Sequence, residues 1–376
     1  MSFKSFCPYR VAPIGAHSDF QYGKITGIAL DHGVTLEYEP TENGVVEAVS
    51  KNFPGEAQFH VGHVPRTKRG DWADYLRGVT AALARRYPLV RGIRAQIEGT
   101  LPIGGLSSSA AVSIAYLAAL CRVNDISLTS EEIVETALWA ENRYVGINCG
   151  RTDQSCEVYA RRDHLLYFDT LDGSHECIPD PPSMKPFEIA ILFSGLERSL
   201  VGSAFNMRTD ELQSAAYATL AYAGLPYGRF DEKRLRHIPR KVFEQYKNRL
   251  PDAWRRRAEH WYNEQDRVEA GAAAWRRGDI EEYGRLSFES GRSSIELYET
   301  GSPELKTLYD IMLHTDGIYG GRFSGAGFKG CCVALIDPAF REEIVRRVTD
   351  EYLRAFPQLR SRFSIHFCHS ADGICV

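Results

Sequence analysis

Leu101-Pro102-Ile103-Gly104-Gly105-Leu106-Ser107-Ser108-Ser109-Ala110-Ala111 joins a glycine turn to three consecutive hydroxyls and runs on into an apolar segment, 110–120, that reads as a helix. Two glycines let the backbone turn so that successive N–H groups face one way, and the helix presents its positive dipole end at the same place. This is the local chemistry of a phosphate cradle, where a hydroxyl also serves as a magnesium ligand. A serine-capped helix after a tight turn is the plainer reading of a single Gly-Ser pair. Three serines between Gly-Gly and Ala-Ala favour phosphate.

Around this loop short β-like runs alternate with helices. Residues 33–38, 44–49 and 93–97 read as strands, the last feeding the serine loop, and 72–86 carries apolar residues at helical spacing. A helix over 130–144 opens with Thr129 or Ser130 ahead of Glu131-Glu132, an N-cap with an acidic first turn. Residues 188–193 form a strand after the proline-rich stretch 179–186, which is read as the domain boundary. The chain of 376 residues exceeds the roughly 250–300 at which one core stops growing. Two domains are therefore expected, 1–183 and 184–376, the second richer in helices at 215–223, 251–275, 280–290 and 303–313.

A net charge of −4 without a long basic run argues against nucleic acid and anionic membranes as partners. The start lacks a signal-like apolar core and no apolar run reaches membrane-spanning length, so the cytoplasm is the expected compartment. Nine cysteines without a C-x-x-C pair read as reduced thiols. A second glycine-rich stretch, Gly320-Gly321-Arg322-Phe323-Ser324-Gly325-Ala326-Gly327-Phe328-Lys329-Gly330, formally contains G-x-G-x-x-G. A dinucleotide fingerprint must open a helix, whereas 331–336 is an apolar strand. Two strands flanking the loop make a hairpin-like wall, able to approach a phosphate or another backbone closely. The Walker pattern is absent.

With both loops placed, the chain resembles the GHMP small-molecule kinases, and within them the galactokinase group. Pro8-Tyr9-Arg10-Val11-Ala12-Pro13-Ile14-Gly15-Ala16-His17-Ser18-Asp19-Phe20 is similar to the galactokinase signature P-G-R-V-N-L-I-G-E-H-T-D-Y, and Cys149-Gly150-Arg151-Thr152-Asp153-Gln154 resembles C-G-I-M-D-Q. The serine loop and residues 321–331 complete the set in the family's order. The resemblance implies an α/β (α+β) fold of two domains with the active site in the cleft between them. It also implies ATP and Mg2+ as cofactors and a small sugar or uronic acid as substrate, and it leaves the oligomeric state open.

Roles follow residue by residue from that resemblance. Asp153 matches the base that accepts the proton of the sugar hydroxyl as it attacks the γ-phosphorus, and Arg10 matches the arginine that pairs with it and neutralises the transferring phosphoryl group. Gly104, Gly105, Leu106, Ser107, Ser108, Ser109 and Ala110 match the ATP-binding loop. Glu141 matches the acidic magnesium ligand, with Ser109 or Ser108 giving the hydroxyl. Ala16, His17, Asp19, Gly150 and Phe205 join Asp153 at the sugar.

The departures bear on the substrate. Ala16 stands where galactokinases carry a glutamate facing the C6 hydroxyl of galactose. Against a C6 carboxylate, a glutamate about 4 Å away costs roughly 1–4 kcal/mol in repulsion, and alanine removes that cost. This change, Phe193-Ser194-Gly195-Leu196 and the run 321–332 are closer to the galacturonokinase branch. D-galacturonate is therefore expected ahead of galactose. Phe205, in Phe205-Asn206-Met207-Arg208, replaces the family's sugar-contacting tyrosine, and Arg151 and Arg198 are candidates to meet a C6 carboxylate. A galactokinase, a catalytically silent galactokinase-like sugar sensor, and a kinase for a non-sugar alcohol are the alternatives. The intact Ser109-Ala110-Ala111 disfavours the sensor, and His17, Asp19 and Asp153-Gln154 disfavour the last.

Overall fold

The computed structural model describes residues 2–196 and 203–374, with the side chains of 203–205 left out. They form two compact units, each assembled from separated pieces of chain: Met1–Arg10, Ile28–Arg162 and Ser370–Val376 in the first, Val11–Gly27 and Asp163–His369 in the second. The division expected at 183/184 differs from this one. Residues 179–186 only connect two strands of the second unit, and pairing of Lys24–Gly27 with Leu166–Asp169 draws the early excursion 11–27 into that unit as well.

The first unit contains β1 (Phe3–Val11), β2 (Lys24–Thr41), β3 (Val45–Ser50), β4 (Glu56–His60), α1 (Asp74–Ala84), β5 (Gly92–Gly99), α2 (Ser108–Val123), α3 (Ser130–Trp139) and α4 (Thr152–Tyr159). Its strands run β4-β3-β5-β2, with β1 beside β2. β2 is antiparallel to β5 from Val34↔Gly99 to Thr41↔Gly92, and β3 is parallel to β5. Along β5, Ile93, Ala95 and Ile97 are buried while Arg94, Gln96 and Glu98 are exposed, the alternation of a sheet covered on one face. α2 is buried nearly all round, from Ala110 through Val123, which makes it the central helix on which α1, α3 and α4 pack. Its first turn therefore has a fixed address. The helix expected over 130–144 is α3 prolonged by a π-helical turn, Ala140–Val145, and Thr129 with Glu132 forms a reciprocal capping box.

The second unit holds the start of β2, β6 (His164–Asp169), β7 (His175–Pro179), β8 (Glu188–Phe193), α5 (Ser203–Tyr222), α6 (Arg240–Tyr246), α7 (Asp252–Arg276), α8 (Ile280–Glu296), α9 (Pro303–Leu313), β9 (Ile318–Phe323), β10 (Cys331–Ile336), α10 (Arg341–Ala355) and β11 (Ser364–Cys368). Its main sheet, β11-β8-β10-β9, is antiparallel throughout. Leu192, Ala334, Leu308, Met312, Ile344 and Val348 form one core between this sheet and α9 and α10, and Leu212, Ala216, Phe243, Ala258 and Trp261 a second among α5, α6 and α7. The second glycine stretch is the β9–β10 hairpin. Two of its glycines serve a backbone neighbour: a Cβ at Gly320 would lie 2.2 Å from the Cα of Gly284 on α8, and one at Gly321 2.8 Å from the Val333 carbonyl oxygen.

Candidate functional site

In the first unit Arg10 is the hub. It sits near the end of β1, buried, and gives Nε and Nη2 to Asp153 Oδ1 at 2.8 and 2.6 Å and Nη1 to the carbonyl of Gly105 at 3.1 Å. One guanidinium thus joins the first turn of α4 to the serine loop. Burial works against its charge, but the neighbouring Asp153 outweighs this and raises Arg10 above its ordinary range. The serine loop bends through Gly104 (φ +145°), Gly105 (φ +89°) and Ser107 (φ +60°) before α2 begins at Ser108, two residues earlier than expected. Ser107 is left-handed without being glycine, and its buried Oγ has no hydrogen-bond partner among the described residues. A strained residue with an unsatisfied hydroxyl at a helix start is a feature of ligand loops.

Glu141 lies on the π-turn, a helical widening common at functional sites. Its buried carboxylate takes hydrogen bonds at Oε2 from Gln154 Nε2 (3.1 Å) and Cys149 Sγ (3.0 Å). Asn142 clamps Cys149 from both sides of its peptide, accepting from its N–H at 2.9 Å and donating to its carbonyl at 3.2 Å, which fixes the chain just before Gly150 and α4. Carboxylate and hydroxyl oxygens from Glu141 and from Ser108 or Ser109 are hard donors of the kind magnesium takes. Glu157, one helical turn beyond Asp153, is fully buried, and burial together with Asp153 pushes its carboxyl well above the usual range. It is a buried acid one turn behind the ion pair that sequence reading missed.

In the second unit the turn after β1 carries Ala16, His17 and Asp19. His17 is buried with φ +58° and stacks on Tyr298, ring centroids 4.3 Å apart and nearly parallel. Burial, then Arg322 and His260, drive its pKa well below 6.5, so the ring is neutral. Its Nε2 is buried without a partner among the described residues, and so is the Tyr298 hydroxyl. Glu264 on α7 is fully buried at the foot of the turn, accepting the N–H groups of Gly15 (2.7 Å) and Ala16 (3.2 Å); Arg267, His260 and Arg322 overcome its burial and lower it to about 2. Polar residues at helical spacing on the buried side of α7, His260 and Glu264, were the available signal for it.

Arg151 does not stand ready for a substrate carboxylate: it forms an ion pair with Glu131 at 2.5 Å. Arg198 lies outside the described residues, as does the side chain of Phe205, whose backbone belongs to α5. The wall expected to approach phosphate or backbone turns Arg322 inward, to Ser290 and Ser294. No helix among the described residues is long and apolar enough to cross a membrane.

The sequence profile of the GHMP kinases N terminal domain matches residues 74–161 and that of the GHMP kinases C terminal domain matches 272–354. A galacturonokinase of Arabidopsis thaliana is 36% identical, covering 98% of this chain and 92% of its own length. A galactokinase of Roseiflexus sp. is 31% identical over 98% of this chain and 91% of its own. Among solved structures, Lactococcus lactis galactokinase complexed with galactose superposes with a TM-score of 0.90 at 24% identity, covering 100% of this chain and 95% of that one, and Methanococcus jannaschii mevalonate kinase with 0.68 at 15%, covering 99% and 98%. These last two establish the fold. With both profiles met in order and a relative 36% identical along nearly the whole chain, the chain belongs to the GHMP kinase family.

Proposed function

We propose that the chain is an ATP-dependent sugar 1-kinase that phosphorylates the anomeric C1 hydroxyl of a galacto-configured sugar, with D-galacturonate as its preferred substrate. The observation that carries the chemistry is the Arg10–Asp153 ion pair, tied through Gly105 to the serine loop. Asp153 takes the proton of the C1 hydroxyl while that oxygen bonds to the γ-phosphorus and the bond to the β-phosphate oxygen breaks, releasing ADP. Arg10 neutralises charge on the transferring group. Gly104 to Ala110 hold ATP phosphates on backbone N–H groups and serine hydroxyls. Glu141 with Ser109 suits Mg2+, which when bound offsets phosphate charge. His17, Asp19 and Gly150 contact sugar hydroxyls.

Ala16 and the galacturonokinase relative support a uronic acid; the galactokinase relatives support galactose as the second reading. ADP release measured against galacturonate, galactose, glucuronate and mevalonate, with the phosphate located by 31P NMR, tests both. Galacturonate 1-phosphate as the favoured product is expected. Turnover of mevalonate alone, or of none of the four, overturns the proposal.

A further inference from the structure

α7 grips the turn between β1 and β2 by its main chain. His260, Trp261, Glu264 and Gln265 stand on one helical face. His260 Nε2 lies 3.1 Å from the Ala16 carbonyl, Trp261 Nε1 donates to the Ser18 carbonyl at 3.0 Å, and Gln265 Oε1 accepts from Lys24 N at 2.7 Å. Glu264 is the centre of this set, taking two successive N–H groups on one oxygen. The same oxygen accepts from Ser290 Oγ at 2.5 Å, Ser290 in turn accepts from Arg322 Nη1 at 2.6 Å, and Arg267 Nε binds the other oxygen at 2.7 Å. A side chain of the second glycine stretch is thereby linked to the backbone of the first motif.

The turn needs such a hold. Gly15 at φ +102° and His17 at φ +58° are both left-handed, and a Cβ at Gly15 would come within 2.6 Å of Ile25 Cα. A left-handed non-glycine persists only where its surroundings over-determine it. Two N–H groups converging on a buried carboxylate fix the successive Ile14–Gly15 and Gly15–Ala16 peptide planes, and with them the directions in which Ala16, His17 and Asp19 project. We propose that Glu264 is a positioning residue for the sugar, and that Arg322 and Ser290 brace it from the β9–β10 hairpin. This rests on the sugar-kinase reading above.

Glu264→Gln and Ser290→Ala in the full chain test it, with KM for sugar and for ATP measured separately. Glu264→Gln should raise sugar KM about tenfold or more while ATP KM stays within about twofold, because only orientation of the sugar turn is lost. Ser290→Ala, which keeps the carboxylate and its charge, should shift sugar KM in the same direction by about threefold. A purely structural role lowers the melting temperature and leaves both KM values in place, and that result overturns the proposal. So does a parallel rise in both KM values. If Glu264→Gln fails to fold, Ser290→Ala decides. A wild type that phosphorylates no sugar overturns the functional reading instead, whereas an active wild type with sugar KM unmoved in the variants overturns only the positioning role.

Discussion

At the scale of single residues, the Arg10–Asp153 contact spans 143 positions of sequence, yet both partners were legible because each sits in a short motif. Asp153→Asn keeps the shape and loses the proton acceptor, so turnover should fall about 10²–10⁴-fold while calorimetric binding of sugar and ATP persists. Near-wild-type turnover would remove Asp153 from the base role. Glu264 is hard to read from sequence: it lies 249 positions from Gly15, and its i, i+4 spacing with His260 is the one hint, on a helix whose many other charges face water. The partner of Arg151 is likewise visible only in the fold, where Glu131, 20 positions away, pairs with it. His260 carries a testable pH signature. Burial chiefly lowers it from 6.5 to about 4, beside Glu264, Arg267, Arg322 and His17. Between those values the unfolded chain binds the proton and the folded one does not, so stability is lost as pH falls from 6.5 toward 4. The loss is about 2 kcal/mol at pH 5 from this ring. Urea midpoints at pH 7 and pH 5 should converge in His260→Gln relative to wild type; an equal drop in both contradicts the assignment.

At the scale of elements, β8 and α9 fall where their apolar patterns place them, and α2, α7 and α8 within a few residues at the start. β1 was hidden because Pro8 interrupts a strand reading, although its second half is buried residue after residue. β2 was seen only over 33–38, since Gly27 and Gly33 break the pattern of an 18-residue strand. Gly33 is required there, a Cβ lying 2.0 Å from the Cys7 carbonyl oxygen. α10 is different: Ile344, Val348 and Tyr352 at four-residue spacing on a charged helix were a readable signal that was overlooked. The α8–β9 contact yields a stability prediction. A Cβ at Gly284 would meet the Tyr319 carbonyl oxygen at 2.1 Å, backbone that cannot step aside. Gly284→Ala should therefore cost about 3 kcal/mol in chemical denaturation, where an exposed helical Gly→Ala would stabilise. A gain in stability would show that the helix and strand separate freely.

At the scale of the whole molecule, the chain passes between units after Arg10, Gly27, Arg162 and His369, so neither unit is a contiguous segment. A reading that looks for one linker, as the proline-rich 179–186 invites, cannot find such an arrangement. Residues 184–376 expressed alone would lack Gly15 and Ala16, leaving the buried Glu264 without its backbone donors, and would lack β6 and β7. That fragment should show no cooperative thermal transition by circular dichroism, and a sharp one would contradict the interleaved assignment. Whether the absence of a carboxylate at Ala16 tunes this sugar 1-kinase to a C6 carboxylate is decided by kcat/KM for galacturonate and galactose in wild type and in Ala16→Glu. Wild type should favour galacturonate. The substitution should depress galacturonate by about fivefold to a thousandfold, toward the low end where water screens the site, and spare or raise galactose. A wild type that favours galactose, or an equal loss on both sugars, would contradict the account.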